Sequence, residues 1–94
     1  MDDTAVAAGL ARLPGWARVG SAIARTYRFD DFRRSLAFVN RVAQLAERQQ
    51  HHPDVDIRYN QVTLSVWTHD AGGLSERDFR LAAAIDGDGA AGHR

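Results

Sequence analysis

Ninety-four residues, twelve arginines against twelve acidic side chains, and no cysteine or lysine describe one small domain without net charge. A chain this short has a single core to build, and balanced charge withholds the positive field that draws proteins to nucleic acid or anionic lipid. Without cysteine there are no disulfide staples and no thiolate metal sites, and nothing points to an oxidising compartment. The arginines are scattered from Arg12 to Arg94, which suits a compositional habit better than a set of phosphate clamps. No segment approaches the ~20 apolar residues of a membrane helix. The start, with Asp2 and Asp3, lacks the basic and apolar character of a secretion signal. A cytoplasmic protein without nucleic-acid or membrane partners is expected.

Residues 1–14 offer a short helix anchored by Leu10 and Leu13 and ended by Pro14-Gly15. From Trp16 the period shortens. Trp16 to Val19 and Ala22 to Phe29 read as two strands joined by a tight turn at Gly20-Ser21, although Ala22 and Ala24 are poor strand formers. Asp30 or Asp31 then offers a helix cap. Phe32, Leu36, Val39, Val42, Ala43 and Ala46 recur at three- and four-residue spacing to about Arg48. These are expected to face the sheet, with Arg33, Arg34, Asn40, Arg41, Gln44 and Glu47 outward. Pro53 cannot continue the helix and pushes His52 toward extended backbone, so the helix ends near the paired histidines.

Between Val55 and Trp67, a two-residue turn at Asn60-Gln61 would set Val55 opposite Val66, Ile57 opposite Leu64 and Tyr59 opposite Val62. Asp56 with Ser65 and Arg58 with Thr63 would share the other face, and a slip of one residue would turn every side chain over. Carried outward, this register brings His52 opposite His69. After the Gly72-Gly73 loop, Ser75 and Asp78 form a capping-box-like start to a last helix, with Leu74, Asp78, Leu81, Ala82 and Ile85 near one face and Gly87 placed to stop it. Residues 87–94 read as a disordered tail to one domain spanning 1–94, with its core at about 10–86.

His51, His52 and His69 therefore converge, with Glu47, Asp54, Asp70 and Asp78 at the margins. Imidazole exchanges protons near neutrality and carboxylates orient it, which is the equipment of general acid-base catalysis. Taken singly, each residue has a plainer role: a histidine past the last helical turn meets the carbonyl end of the dipole, and Asp78 caps a helix. It is the meeting of His52 and His69 that favours chemistry. A metal is not expected, because adjacent side chains on extended backbone point apart and no histidines stand four apart on a helix. Nucleophilic catalysis is weaker still, since Ser65 and Ser75 lack a Gly-x-Ser-x-Gly setting.

Glu47, His51-His52-Pro53, Tyr59, His69 and Asp78, in this order and spacing, resemble the signature of pterin-4a-carbinolamine dehydratases. The likeness extends over about residues 10–86 through Leu13-Pro14-Gly15-Trp16, Phe29-Asp30-Asp31-Phe32, Thr68-His69-Asp70 and Gly72-Gly73-Leu74. The resemblance implies an α+β fold, a four-stranded antiparallel sheet with helices packed on one face. It also implies a reaction: dehydration of the 4a-hydroxytetrahydropterin left by an aromatic amino acid hydroxylase, giving quinonoid dihydropterin in tetrahydrobiopterin-type cofactor recycling. Carried over by position, His51, His52 and His69 form the acid-base cluster. Gln50, Trp67, Thr68 and Asp70 line the pterin pocket, and Trp16, Glu47 and Asp78 support it. The pterin is the substrate, so no cofactor is implied, and a homo-oligomer, dimer or tetramer, is expected. Two positions depart from the pattern: Trp67 stands where the family often has a small residue, and Gln50 where an acidic or small one is common. Two other functions compete, a non-catalytic interaction module, since animal members of the family also bind a transcription factor, and a relative acting in molybdopterin metabolism.

Overall fold

A computed structural model describes residues 1–87. Helix α1 (Asp3–Leu10) leads into strands β1 (Ala17–Val19) and β2 (Ala22–Arg28), the long helix α2 (Phe32–Gln49), strands β3 (Asp54–Arg58) and β4 (Gln61–Val66), and helix α3 (Glu76–Gly87). The strands form one antiparallel sheet in the order β1-β2-β4-β3. Val62, Leu64 and Val66 of central β4 are completely buried. Gln61, Thr63 and Ser65 alternate onto the opposite face, where the Thr63 and Thr26 hydroxyls meet at 2.8 Å. Ile23 and Tyr27 of β2 pair with Val66 and Val62, and with Val6 of α1, Phe38 and Val42 of α2 and Leu81 and Ile85 of α3 they make one core. Helices thus cover one face of the sheet. Each fully buried side chain, such as Ile23, Leu64 or Leu81, contributes about 1.5–3 kcal/mol by leaving water.

Asp2 caps α1 by accepting from the Ala5 amide, and the helix ends at Leu10, before Leu13. Val6 is its buried anchor, while Leu13 enters the core from the following turn. At Gly9 the helix lies so close to α3 that an added Cβ would stand 2.6 Å from the Phe79 ring. Helix α3 runs one residue further than expected, through Gly87, and the remainder of the expected tail, 88–94, lies outside the described residues.

Asp31, not Asp30, caps α2, accepting from the Arg34 amide at 2.8 Å. Val42 and Ala46 of the expected row are buried and the expected polar face is exposed, but the helix is rotated so that other side chains complete the core row. Its core row is Ser35, Phe38, Val42, Leu45 and Ala46, while Phe32 and Leu36 are 46% and 39% exposed. Two apolar rows run along this helix, and periodicity cannot rank them. The Phe38 ring decides by packing on Tyr27 and Phe29, with centroids 4.6 and 5.0 Å away.

The β3–β4 hairpin also differs from expectation. It turns at Tyr59-Asn60, so Val55 pairs with Leu64 and Ile57 with Val62, two residues from the expected register. The end of β2 sets this choice: the Phe29 amide donates to the Asn60 carbonyl, and Asn60 Nδ2 donates to the Phe29 carbonyl. Tyr59 accepts a left-handed φ of 55° so that Asn60 can reach. A shift of two leaves every side chain on its intended face.

Candidate active site

The chain leaves α2 through Gln50, whose left-handed φ of 51° reverses its direction. The Gln50 amide donates to Glu47 and the His51 amide donates back to Ala46, closing the helix as a Schellman turn does and fixing the backbone of His51. His51 turns inward and is 8% exposed, whereas His52 turns outward. At the far side, Thr68 follows β4 and forms a bridge with Gly73, enclosing a turn that carries His69 and Asp70.

Asp78, in the first turn of α3, joins these segments. It is completely buried. Its Oδ1 accepts from His51 Nε2 at 2.5 Å, and its Oδ2 accepts from the Thr68 hydroxyl at 2.8 Å and the Ser75 amide at 2.9 Å. Ser75 Oγ in turn accepts from the Arg77 amide, completing a capping box. Three donors on one carboxylate compensate its burial. His52 Nε2 donates to Glu47 Oε2 at 2.6 Å, but both side chains are exposed, so that contact orients the ring more than it stabilises the fold. In both imidazoles the carboxylate engages Nε2, and among the described residues Nδ1 has no hydrogen-bond partner.

A recess of about 310 Å³ lies between these segments, lined by Gln50, His51, His52, Trp67, Thr68, His69, Asp70 and Arg77. That is room for a small aromatic or bicyclic molecule. All three expected histidines and all four expected lining residues therefore share one cavity. His52 and His69 arrive there by another route than strand pairing, since the ladder ends at Asp54 with Ser65 and the observed register, extended, would put His52 beside Trp67. The His69 ring packs against Trp67 at a tilt, with centroids 3.9 Å apart. Among the described residues no cluster of three histidine, cysteine or acidic side chains is arranged to hold a metal ion.

Trp16 stands elsewhere. Its indole donates to Asp86 Oδ2 at 2.9 Å, and the same carboxylate accepts from Tyr27 at 2.7 Å and Arg25 at 3.1 Å. Burial, followed by the hydrogen bond and charge of Asp86, holds the Tyr27 phenol well above its ordinary range. Neither Asp86 nor Arg77 stood out in the sequence. Arg77 lines the recess and donates to the Gln50 carbonyl at 3.1 Å, and its only signal was its place beside Asp78 in a capped first turn.

Known proteins resemble this chain in sequence and in fold. A protein of Thermomicrobium roseum, provisionally named a pterin-4-alpha-carbinolamine dehydratase, is 56% identical over 85 residues, 90% of this chain and 91% of its own. One of Chloroflexus aurantiacus with the same provisional name is 52% identical over 86 residues, 92% of each chain. Among solved structures, a transcriptional coactivator/pterin dehydratase of Brucella melitensis superposes with a TM-score of 0.91 at 31% identity, covering 98% of both chains. A pterin dehydratase-like protein identified as a RuBisCO assembly factor in the alpha-carboxysome shares the fold, with a TM-score of 0.69 at 20% identity over 85% of this chain and 93% of its own. The family profile described as pterin 4 alpha carbinolamine dehydratase matches residues 1–87, and the chain belongs to that family.

Proposed function

We propose that this chain removes water from a 4a-hydroxytetrahydropterin to give quinonoid dihydropterin, with His51, His52 and His69 handling the protons. The observation that carries the reading is the gathering of three imidazoles around one recess, two of them held through Nε2 by carboxylates. The departing 4a-hydroxyl needs a proton, and the ring nitrogen beside it must lose one. An imidazolium supplies the first and a neutral imidazole takes the second. The C–O bond breaks, water leaves, and the proton gained by one histidine offsets that lost by the other. Positioned acid-base groups contribute typically about 10²–10⁴-fold. The reaction as written calls for no cofactor or metal. Arg77 and Asp70 at the rim offer a donor and an acceptor for the polar edge of the pterin.

On this reading the protein works in the cytoplasm beside an aromatic amino acid hydroxylase, whose product it would consume. No described helix is long and apolar enough to cross a membrane. The chain also acts as a homo-oligomer on this reading, because the second apolar row of α2 faces outward and a two-fold axis would match that row with itself. An interaction role beside the chemistry draws support from the coactivator designation of the Brucella structure.

The test adds purified protein to a phenylalanine hydroxylase reaction and follows decay of the carbinolamine absorbance. Acceleration over buffer is expected, with His69→Ala slowing turnover at least about tenfold while the far-ultraviolet dichroism is unchanged. No acceleration by the wild-type protein would refute the reading, and unchanged turnover in His69→Ala would remove that residue from it.

A further inference from the structure

The three imidazoles of the recess are held in different ways. His51 donates to buried Asp78, and His52 donates to Glu47. The His69 side chain makes no hydrogen bond among the described residues, although its backbone is fixed by the 68–73 turn, where the Gly72 amide donates to the His69 carbonyl. It is exposed, and its ring contact is with the half-buried indole of Trp67, 3.9 Å between centroids at an interplanar angle of 41°. An exposed imidazole without such a contact samples several rotamers.

We infer that Trp67 is a positioning residue that holds the His69 ring toward the recess, the role Asp78 and Glu47 fill for the other two histidines. The geometry of the strand end makes this natural. Thr68 points inward to Asp78, so its neighbour Trp67 takes the opposite side of the backbone, and His69, two residues on, returns to the side of Trp67. A ring pair of this kind biases the favoured rotamer by about two- to tenfold. In this chain the fixed orientation of one imidazole therefore depends on a large aromatic side chain at position 67.

The inference rests on the histidine chemistry proposed above for its kinetic consequence, and a separate readout tests the contact alone. In the wild-type protein the carbon-bound ring protons of His69, assigned by their loss in His69→Asn, should be shifted upfield in the NMR spectrum by the indole ring current. Trp67→Leu, which keeps bulk without a ring, should return them to the positions of a free histidine and lower kcat by about two- to tenfold. Trp67→Phe, which keeps a ring, should retain part of the shift and most of kcat. Unshifted His69 protons in the wild-type protein would overturn the inference, and that measurement stands even if the leucine variant fails to fold. A leucine variant changed in KM alone would overturn it too, leaving Trp67 as a wall of the cavity. If the wild-type protein has no dehydratase activity, the functional reading falls and the ring-proton shifts still decide the positioning.

Discussion

One carboxylate, Asp78, serves both the fold and the site. Its Oδ2 satisfies the Ser75 amide and the Thr68 hydroxyl, and its Oδ1 holds His51. Cap and imidazole orientation can be separated by substitution. Ser75→Ala removes the hydroxyl that caps the Arg77 amide and donates to Thr68 Oγ1 at 2.6 Å, and leaves the His51 and Thr68 contacts of Asp78 in place. It should cost about 1 kcal/mol of stability, read as a lower urea midpoint, and keep most of the turnover. Asp78→Asn keeps the shape but turns an amide NH2 toward a donor. It should cost about 1–3 kcal/mol and also lower turnover by at least about tenfold. Equal turnover in the two variants would show that Asp78 matters only as a cap. The sequence made Asp78 legible as either a cap or a supporting residue. That one side chain fills both places required the Thr68 strand end to stand within 3 Å of the start of α3, which no local pattern encodes.

At the scale of elements, propensity and periodicity located the strands and helices well, because caps such as Asp31 and breakers such as Pro53 and Gly20-Ser21 act locally. They misplaced two phases. An alternating strand fits its partner equally well after a shift of two, so the β3–β4 register was settled by contacts between Asn60 and Phe29, thirty-one residues apart. Likewise α2 carries two apolar rows, and aromatic packing of Phe38 on β2 chose between them. The row left outside, Phe32, Leu36 and Ala43, with half-buried Val39 at its edge against the core, follows the three- and four-residue spacing of a helix-helix seam. Light scattering should therefore give a mass above that of one chain, and Leu36→Glu should shift it toward the monomer by burying a charge in the seam. A monomer of unchanged mass at all concentrations would argue against association through α2.

For the molecule as a whole, the site was more legible than the frame that carries it. Histidines near a helix end and a strand end are conspicuous in a chain with only four of them. Asp86 is one acid among twelve, yet it gathers Trp16, Arg25 and Tyr27 from the other end of the sequence. This knot predicts an alkaline limit. Because the folded Tyr27 phenol holds its proton above the ordinary range, its contribution is fully present below about pH 10 and is lost as pH rises beyond it. Stability should fall by up to about 1.4 kcal/mol per pH unit there. Tyr27→Phe should be less stable at neutral pH, by about 1.5–3 kcal/mol for the lost hydrogen bond to a charged group, with a flatter alkaline slope. An identical slope in both proteins, measured by denaturation between pH 9 and pH 11, would show that Tyr27 is not responsible.

The cavity draws its lining from a stretch that begins at Gln50 and ends at Arg77. The reactive groups sit on two short segments, 50–52 and 67–70, that follow α2 and the central strand β4, while Glu47 and Asp78, which hold two of the imidazoles, belong to α2 and α3. The exposed rim at Asp70 can therefore change without touching the core, whereas lengthening or shortening α2 or β4 by one residue would carry a histidine out of the recess.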